Sequence, residues 1–269
     1  MEYFDFLDEI AEEVRQEVLR AIGAYKDLDA AIGYNPSDTL TYRIDLIAEN
    51  SLIRAIEKSG VPTIVISEEI GEKKIGGDPP QIIIVADPLD GTINLLRGIP
   101  YYSVSLGLAK YQENSTLEHV VAGLVKDIAS GDTFHAIKEQ GAYFNGLELR
   151  GPEKSFRDIV VSFYAYGQRI DPSYFKLCSK VKFRTLGSVA LEVCYVAKGI
   201  LDAYVDVRDT VRTIDVAAAK LILEEAGGIL TDLGGRRIEA KLDAKGKFSV
   251  IAAINKEIHD FLRRELTNR

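Results

Sequence analysis

Two aspartates stand three residues apart at the end of an apolar run, in the segment IIIVADPLDGTIN at 82–94. The run predicts a buried strand that stops at Asp87, because Pro88 lacks a backbone N–H and favours an extended residue before it. Asp87 and Asp90 would then lie together at the end of the strand. Unpaired charge is costly away from water, so two close carboxylates either raise each other's pKa or recruit a cation. The segment therefore predicts a shared proton or a shared metal ion.

Further acidic residues lie at the ends of other predicted elements. Glu68 and Glu69 follow the short strand TIVIS, Asp215 lies in the first turn of an alanine-rich helix, and Asp45 lies in another helix. Taken alone, Asp215 would stabilise its helix dipole by about 0.3–1 kcal/mol, and Glu68 and Glu69 would form a solvated pair. Taken together, oxygen ligands without His or Cys indicate a hard cation, Mg²⁺ or Mn²⁺. Two such ions that share a carboxylate suit the transfer of a phosphoryl group to water.

The spacing of the two aspartates argues against a rival class of enzyme. Enzymes that form an aspartyl phosphate carry their nucleophilic and acidic aspartates two residues apart, in a DxDxT motif. Asp87 and Asp90 are three residues apart, so their side chains diverge differently where the strand ends. The pattern favours hydrolysis by a metal-activated water without a covalent intermediate.

Three motifs of the chain resemble those of a known family: SEEIG at 67–71, ADPLDGTIN at 86–94 and IDVAAAKLILEEAGG at 214–228. Their order and spacing are similar to those of the inositol monophosphatase superfamily of Mg²⁺-dependent, lithium-sensitive sugar phosphatases. The segment RTLGSVALEVCYVAKGILDAYV at 184–205 extends the likeness over nearly the whole chain. The resemblance implies the layered αβαβα sandwich of the sugar phosphatase fold.

The resemblance also implies a set of metal ligands in this chain. Glu68, Asp87 and the carbonyl of Leu89 would bind the first ion, and Asp87, Asp90 and Asp215 would bind the second. Glu68 would hold a weaker third ion. We therefore expect two or three Mg²⁺ ions in the site, with Mn²⁺ able to replace them.

The same resemblance implies the catalytic and phosphate-binding groups. Thr92 is similar to the family threonine that activates the attacking water, with Asp45 as its acidic partner. The N–H groups of Gly91 and Thr92 would hold the phosphate at the start of a helix. Asp38 would help to order water or the third ion, although its loop, YNPSD, lacks the basic residue that family members carry there.

Substrate choice is predicted from an arginine. Arg208 stands seven residues before Asp215, where inositol-selective members of the family carry a glutamate, and a guanidinium favours a second anionic group on the substrate. The alternative is a surface salt bridge with Asp206 or Asp209. The feature resembles archaeal-type members that accept both fructose 1,6-bisphosphate and inositol 1-phosphate. The predicted substrate or phosphate contacts are Asp90, Gly91, Thr92, Tyr164, Arg169, Arg184, Gly187 and Arg208.

Two other functions stay open at this point. A 3′(2′),5′-bisphosphate nucleotidase of the same superfamily would need a slot for adenine, and the sequence shows no clear one. A catalytically silent, regulatory metal-binding protein could keep the fold, but the five acids and Thr92 are all intact, which argues against it.

The first half of the chain predicts the elements that hold the acidic residues. Apolar residues recur at helical spacing over 4–26 and in a second helix that stops at Gly60. On that second helix, Asp45 and Glu49 lie on the face opposite the apolar one. The polar, turn-rich stretch 31–42 between the helices predicts a mobile loop.

The second half predicts a different organisation. Strands with turns between them follow one another over 102–136, which indicates an antiparallel sheet. After a polar segment at 148–155, strands alternate with helices, as in layered α/β proteins. We therefore predict an α+β part at 1–148 that carries the metal motifs, and an α/β part at 149–269 that carries the substrate-binding residues and Asp215.

Composition limits the partners. The 269-residue chain has a formal net charge of −8 and a pI of about 5.1, which argues against nucleic acid and an anionic membrane as partners. It has two cysteines and no basic leader or apolar stretch of about 20 residues, so a cytoplasmic protein is expected. The expected partner is a small sugar or inositol phosphate, and the family resemblance implies a homodimer.

Overall fold

The computed structural model describes residues 2–36, 38–150, 158–166, 174–177 and 179–267, so that Arg169 lies outside the described residues. The helices are α1 (Tyr3–Ala24), α2 (Arg43–Ser59), α3 (Thr92–Arg97), α4 (Tyr174–Leu177), α5 (Val189–Lys198), α6 (Thr213–Glu225) and α7 (Lys256–Thr267). The strands are β1 (Ala31–Tyr34), β2 (Leu40–Tyr42), β3 (Thr63–Ser67), β4 (Gly71–Ile75), β5 (Ile82–Asp90), β6 (Ser103–Lys110), β7 (Val120–Asp127), β8 (Thr133–Ile137), β9 (Ala142–Phe144), β10 (Leu147–Leu149), β11 (Val160–Tyr164), β12 (Lys182–Arg184), β13 (Ala203–Arg212), β14 (Ile229–Thr231) and β15 (Lys247–Ala253).

An eight-stranded sheet forms the framework of the first half, in the order β10-β9-β8-β7-β6-β5-β3-β4. Its central strand β5 is buried along its whole length, as its run of β-branched residues predicts. β3 and β5 are parallel neighbours, and the other pairs are antiparallel. Helices α1 and α2 cover one face of this sheet with their apolar sides. The sheet therefore fixes the ends of β3 and β5 against a packed layer.

Helices α5 and α6 form the middle layer, between the larger sheet and a second sheet. α6 is buried at eleven of its thirteen positions, which its alanine-rich sequence permits. It lies close to β6 and β7 because glycines face it there: a Cβ on Gly107 would be 2.9 Å from the Cβ of Ala217, and one on Gly123 would be 2.8 Å from the carbonyl oxygen of Ala218. The close packing holds the N-terminal half of α6 against the larger sheet.

The second sheet has the order β12-β11-β13-β15-β14, and α7 packs against its outer side. The layers are thus helices, sheet, helices, sheet, helices, and the predicted αβαβα sandwich is confirmed. The division of the chain at 148/149 stays a prediction; the larger sheet ends at Leu149 and the smaller one begins at Val160. Among the described residues, no helix combines the length and apolar character needed to span a membrane.

Two local predictions were wrong. β5 does not stop at Asp87 but continues through Pro88 to Asp90, and its pairing with β6 shifts by one residue between the two aspartates. A bulge of this kind accommodates a proline that cannot donate to the ladder. The stretch predicted as a loop at 31–42 contains the hairpin of β1 and β2. All four residues of β1 are exposed, so the strand has no buried face. Its sequence therefore lacks the alternation of apolar and polar residues by which a half-buried strand is recognised.

Candidate active site

Three acidic side chains meet at one edge of the larger sheet. Glu68 directly follows β3, Asp87 lies in β5 and Asp215 lies in the first turn of α6, and one carboxylate oxygen of each lies within 4.8 Å of the others. β3 and β5 run parallel with Ser67 opposite Ala86, so both strands end at the same edge. We call these three residues the carboxylate cluster. The structure thus brings together acids that are far apart in the sequence.

Electrostatics indicate that the negative charges of the cluster must be offset by cations or by protons. Burial raises the pKa of Asp87 well above its usual value, and the negative charges of Asp90, Glu68 and Asp215 raise it further. Burial also raises the pKa of Asp215, although Arg212 opposes this effect. Close, buried carboxylates of this kind fit a hard divalent cation, whose preferred ligands are oxygens. The donor set therefore suits Mg²⁺ or Mn²⁺.

Asp90 lies beside the cluster and is held by the middle layer. Its Oδ2 accepts hydrogen bonds from Ser188 Oγ and from the amide of Ala190, both at 2.7 Å. Burial raises the pKa of Asp90 to about 7, against the effect of these two donors. The backbone of Leu89 is fixed as well, since its amide donates to Asp87 Oδ1 at 3.0 Å. The N-terminus of α5 therefore positions the second predicted aspartate.

Thr92 and Asp45 form the predicted pair on the other side of the cluster. Thr92 Oγ1 lies 2.7 Å from Asp45 Oδ1 and 3.1 Å from the carbonyl oxygen of Leu89, so these are the two possible acceptors for its one proton. The other carboxylate oxygen of Asp45 accepts from the amide of Tyr42 at 2.7 Å, which caps α2. Burial raises the pKa of Asp45 to about 7, with smaller contributions from Glu69 and Glu68.

Asp45 and its neighbour Glu49 are buried, because their face of α2 turns towards the end of β3. They are 7% and 2% exposed, and Ser67 Oγ donates to Glu49 Oε1 at 2.8 Å. Burial raises the pKa of Glu49 to about 7.

Gly91 occupies a position that only glycine fits. Its φ is +101°, in the region that L residues rarely adopt, and a Cβ would lie 3.0 Å from the carbonyl oxygen of Tyr101. The turn leaves Gly91 and Thr92 at the start of α3. The predicted binding of phosphate by their N–H groups stays a prediction.

Sequence reasoning missed Arg212 and Asn35, which both contact the cluster. Arg212 pairs with Glu68 at 2.7 Å and with Asp215 at 2.9 Å. Asn35 Nδ2 donates to Glu68 Oε1 at 3.1 Å. The signal for Arg212 was available, because it precedes Asp215 by three residues at the start of a helix. Asp38, which was predicted to help to order water or the third ion, is exposed. In the same hairpin, Asn35 contacts Glu68.

A cavity of about 330 Å³ opens beside the carboxylates. Its lining includes the cluster with Asp90, Gly91 and Thr92, and also three basic residues, Arg208, Arg212 and Lys247. A volume of this size suits a small molecule. An anionic ligand in the cavity would thus meet basic side chains as well as acidic ones.

Arg208 is held in place by an acid and two aromatic rings. Its Nη2 lies 2.7 Å from Asp206 Oδ2, so the predicted alternative of a salt bridge with Asp206 is present. Asp206 is fully buried and the side chain of Arg208 is only 15% exposed, so the pair is not a surface one. The guanidinium carbon lies 4.7 Å from the ring centre of Tyr164 and 4.4 Å from that of Tyr166. These contacts fix the guanidinium in the cavity wall.

The hydroxyl of Tyr164 is engaged inside the protein, and its predicted contact with substrate stays a prediction. It donates to Glu192 Oε2 at 2.7 Å and accepts from the amide of Gly187 at 2.7 Å, and Tyr164 is 3% exposed. Glu192 is itself fully buried. Gly187 has a φ of +96°. Arg184 is exposed at the end of β12, and its Nη1 donates to the carbonyl oxygen of Phe183. The predicted substrate roles of Arg184 and Gly187 stay predictions.

Comparisons with known proteins agree with the predicted family. The family model described as inositol monophosphatase family matches residues 2–269. A fructose-1,6-bisphosphatase/inositol-1-monophosphatase of Methanothermobacter thermautotrophicus is 40% identical over 267 residues, which cover 96% of this chain and 94% of that protein. A bifunctional NADP phosphatase/NAD kinase of Methanococcus maripaludis is 37% identical over 289 residues, and the match covers all of this chain but half of that protein.

Solved structures show the same fold. The crystal structure of a gene product described as an inositol monophosphatase-fructose 1,6 bisphosphatase has a TM-score of 0.85 and 32% sequence identity, and the match covers 98% of this chain and 100% of the other. An inositol monophosphatase of Thermotoga maritima has a TM-score of 0.79 and 26% identity, with 100% of this chain and 98% of the other covered.

Proposed function

Because the chain belongs to the inositol monophosphatase family, we propose that it is a Mg²⁺-dependent phosphomonoesterase that hydrolyses fructose 1,6-bisphosphate and inositol 1-phosphate. The observation that carries this function is the carboxylate cluster, with its oxygens within 4.8 Å of one another, next to the hydrogen-bonded pair of Thr92 and Asp45. The names of the similar archaeal proteins support both substrates.

The metal ligands in this proposal are the residues predicted from the sequence. Glu68, Asp87, Asp90, Asp215 and the carbonyl of Leu89 would hold two or three Mg²⁺ ions, or Mn²⁺ in their place. When bound, the ions supply a nucleophilic water near neutral pH and neutralise charge on the phosphate and the leaving oxygen.

The protein's own groups would handle the proton and the phosphate. With its proton donated to Asp45, the oxygen of Thr92 can accept a hydrogen bond from a water in the cavity. A proton leaving that water moves to Thr92 Oγ1 while the threonine proton moves to Asp45 Oδ1. Because burial raises the pKa of Asp45 to about 7, this carboxylate is a suitable base near neutral pH. The N–H groups of Gly91 and Thr92 would bind the phosphate oxygens.

Substrate choice in this proposal depends on Arg208. The Asp206 carboxylate and the two tyrosine rings hold its guanidinium in the cavity wall, so it meets a substrate without losing much side-chain freedom. A fixed guanidinium favours a second phosphate group over a ring hydroxyl. We infer that it contributes more to the binding of the bisphosphate than to that of the monophosphate.

The test is phosphate release in Mg²⁺ with each of the two esters, for the wild type, Arg208→Ala and the exposed surface control Arg236→Ala. We expect Arg208→Ala to lower kcat/KM for fructose 1,6-bisphosphate by about tenfold or more, as for the loss of a charged hydrogen bond, and to affect inositol 1-phosphate less. Equal losses on both esters would contradict the role of Arg208 in selection. Absence of Mg²⁺-dependent release from either ester would contradict the proposed function.

A second candidate substrate is the 2′-phosphate of NADP. The whole chain aligns with half of a bifunctional NADP phosphatase/NAD kinase. Tyr166 is 57% exposed beside Arg208, and an exposed ring next to a guanidinium offers a stacking surface for adenine. Turnover of NADP⁺ or adenosine 3′,5′-bisphosphate far above that of the sugar phosphates would favour a nucleotide phosphatase.

A catalytically silent protein is the remaining alternative. The cluster and the pair of Thr92 and Asp45 are intact, which argues against it. If Asp90→Asn abolished phosphate release but left the biological role of the protein untouched, the silent alternative would be favoured. The predicted homodimer and the cytoplasmic location also stay proposals, and light scattering of the purified protein would give its oligomeric state.

A further inference from the structure

Arg212 lies directly against the carboxylate cluster. Its Nη1 and Nη2 donate to the two oxygens of Glu68 at 2.7 and 2.9 Å, and Nη2 also lies 2.9 Å from Asp215 Oδ1. Its Nε and its backbone amide both donate to Asp215 Oδ2, at 3.3 and 2.7 Å. One guanidinium therefore contacts every carboxylate oxygen of two of the three cluster members.

The charge of the cluster explains why such a contact matters. Glu68, Asp87, Asp90 and Asp215 carry four negative charges when ionised, and Arg212 supplies one positive charge among them. The Arg212 side chain is 12% exposed and that of Glu68 is 16% exposed, so water screens their interaction weakly. A cation at this position lowers the repulsion among the acids without any metal ion.

A divalent ion bound by the same oxygens must share them with the guanidinium. Mg²⁺ requires its ligands at about 2.0–2.1 Å, and two like charges a few ångströms apart repel strongly when poorly solvated. An ion that uses Glu68 is affected most, because the guanidinium donates to both of its oxygens.

We propose that Arg212 is a built-in counter-ion of the carboxylate cluster: it stabilises the metal-free protein and weakens the binding of divalent ions at Glu68. The proposal rests on the proposed function, because it takes the cluster as the metal site. It deepens that function by predicting that Arg212 limits the number of ions that bind tightly.

Arg208 provides a matched control, since it is an arginine in the wall of the same cavity. Its guanidinium pairs with Asp206 and lies between two tyrosine rings. Removing its charge should therefore change divalent-ion binding far less than removing that of Arg212.

The test is Mn²⁺ binding to protein stripped with EDTA, measured by calorimetry for the wild type, Arg212→Met, Arg212→Lys and Arg208→Met. We expect Arg212→Met to bind Mn²⁺ at least about tenfold more tightly than the wild type, because a nearby positive charge is lost. We expect Arg212→Lys, which keeps the charge, to lie closer to the wild type. Arg208→Met should match the wild type in Mn²⁺ affinity.

Thermal unfolding gives a second readout with the opposite sign. In EDTA, Arg212→Met should unfold at a lower temperature than the wild type, because Glu68 and Asp215 lose their counter-ion. Saturating Mn²⁺ should close that gap. If Arg212→Met does not fold, Arg212→Gln removes the same charge while keeping a hydrogen-bond donor, and it takes the place of the methionine variant.

An Arg212 variant that folds but binds Mn²⁺ as the wild type does, or more weakly, would overturn the inference, because Arg212 would then be a structural or phosphate-binding residue. A wild type that binds no Mn²⁺ would overturn the proposed metal site together with the inference. If the wild type bound Mn²⁺ tightly and Arg212→Met bound it no more tightly, the inference would be overturned but the proposed metal site would stand.

Discussion

At the scale of single residues, the proposed reaction depends on one hydrogen bond, from Thr92 Oγ1 to Asp45 Oδ1 at 2.7 Å. The hydroxyl has one proton to donate, and the carbonyl oxygen of Leu89 is a second acceptor at 3.1 Å. A bond to an ionised carboxylate is the stronger of the two. The charge of Asp45 therefore orients the Thr92 hydroxyl proton towards the carboxylate. This orientation leaves the lone pairs of Thr92 Oγ1 free to accept a hydrogen bond from water.

We predict that Asp45→Asn lowers kcat by about 10²–10⁴, the usual contribution of a general base, while KM changes little. Thr92→Val should have a similar effect, and Thr92→Ser, which keeps the hydroxyl, should retain most of the activity. Steady-state kinetics with inositol 1-phosphate checks this. A rise in KM with kcat unchanged would instead assign Thr92 and Asp45 to substrate binding.

The same residue predicts a pH dependence. Asp45 accepts a proton only as a carboxylate, and burial raises its pKa to about 7. The wild-type kcat/KM should therefore rise with pH through an acid limb at or below about 7, since bound cations lower the pKa of a nearby acid. The limb should disappear from the residual activity of Asp45→Asn, and its persistence there would assign it to another group.

At the scale of elements, the start of α5 connects the site to the protein interior. Ser188 and Ala190 bind Asp90, while Tyr164 on β11 joins the amide of Gly187 to the buried carboxylate of Glu192. The same Tyr164 ring supports Arg208. One tyrosine thus holds both the turn behind Asp90 and the predicted substrate arginine.

We predict that Tyr164→Phe lowers the free energy of unfolding by about 1–3 kcal/mol, because Glu192 and Gly187 each lose a buried partner. Tyr166→Phe is the control: it removes a hydroxyl from an exposed tyrosine and keeps the ring beside Arg208, so stability should hardly change. Urea unfolding of both variants measures the difference. If Tyr164→Phe instead raised KM without loss of stability, its hydroxyl would be a substrate contact, as first predicted.

The sequence was sufficient to predict those elements and site residues whose signal lies within a short stretch of neighbouring residues. The buried run of β5, the stop of α2 at Gly60 and the acids at the ends of elements could all be predicted. Contacts across the layers could not, because Arg212 and Glu68 are separated by 144 positions and no periodicity links them. Short strands with exposed edges, such as β4 and β10, also escaped prediction, since few of their residues are buried.

At the scale of the whole molecule, the site depends on the spacing of the layers. Asp215 reaches Glu68 and Asp87 only if α6 lies close to the larger sheet, and Gly107 on β6 permits this approach. A Cβ there would be 2.9 Å from the Cβ of Ala217 and 3.3 Å from the amide nitrogen of Ala218. Glycine on the strand and alanine on the helix together set the distance.

We predict that Gly107→Ala destabilises the protein by about 1–3 kcal/mol, as overpacking in a tight interior does. It should also weaken Mn²⁺ binding, because displaced Asp215 fits the cluster less well. The control is Gly23→Ala in α1, where a Cβ meets nothing within 4 Å, so a gain of about 0.5–1 kcal/mol is expected. Chemical denaturation of both variants measures the two changes in the free energy of unfolding. If Gly107→Ala left this free energy unchanged, the layers would be able to move apart without cost.

The burial of α6 on both sides has a consequence for the exchange of its amide hydrogens with solvent. A helix at the surface can fray while the rest of a protein stays folded, but α6 has eleven of its thirteen residues buried between two sheets. Its amides should therefore exchange only when the layers separate, in the slowest class that reports global opening. Because Asp215 belongs to that helix, the carboxylate cluster and the folded state would be lost in one event.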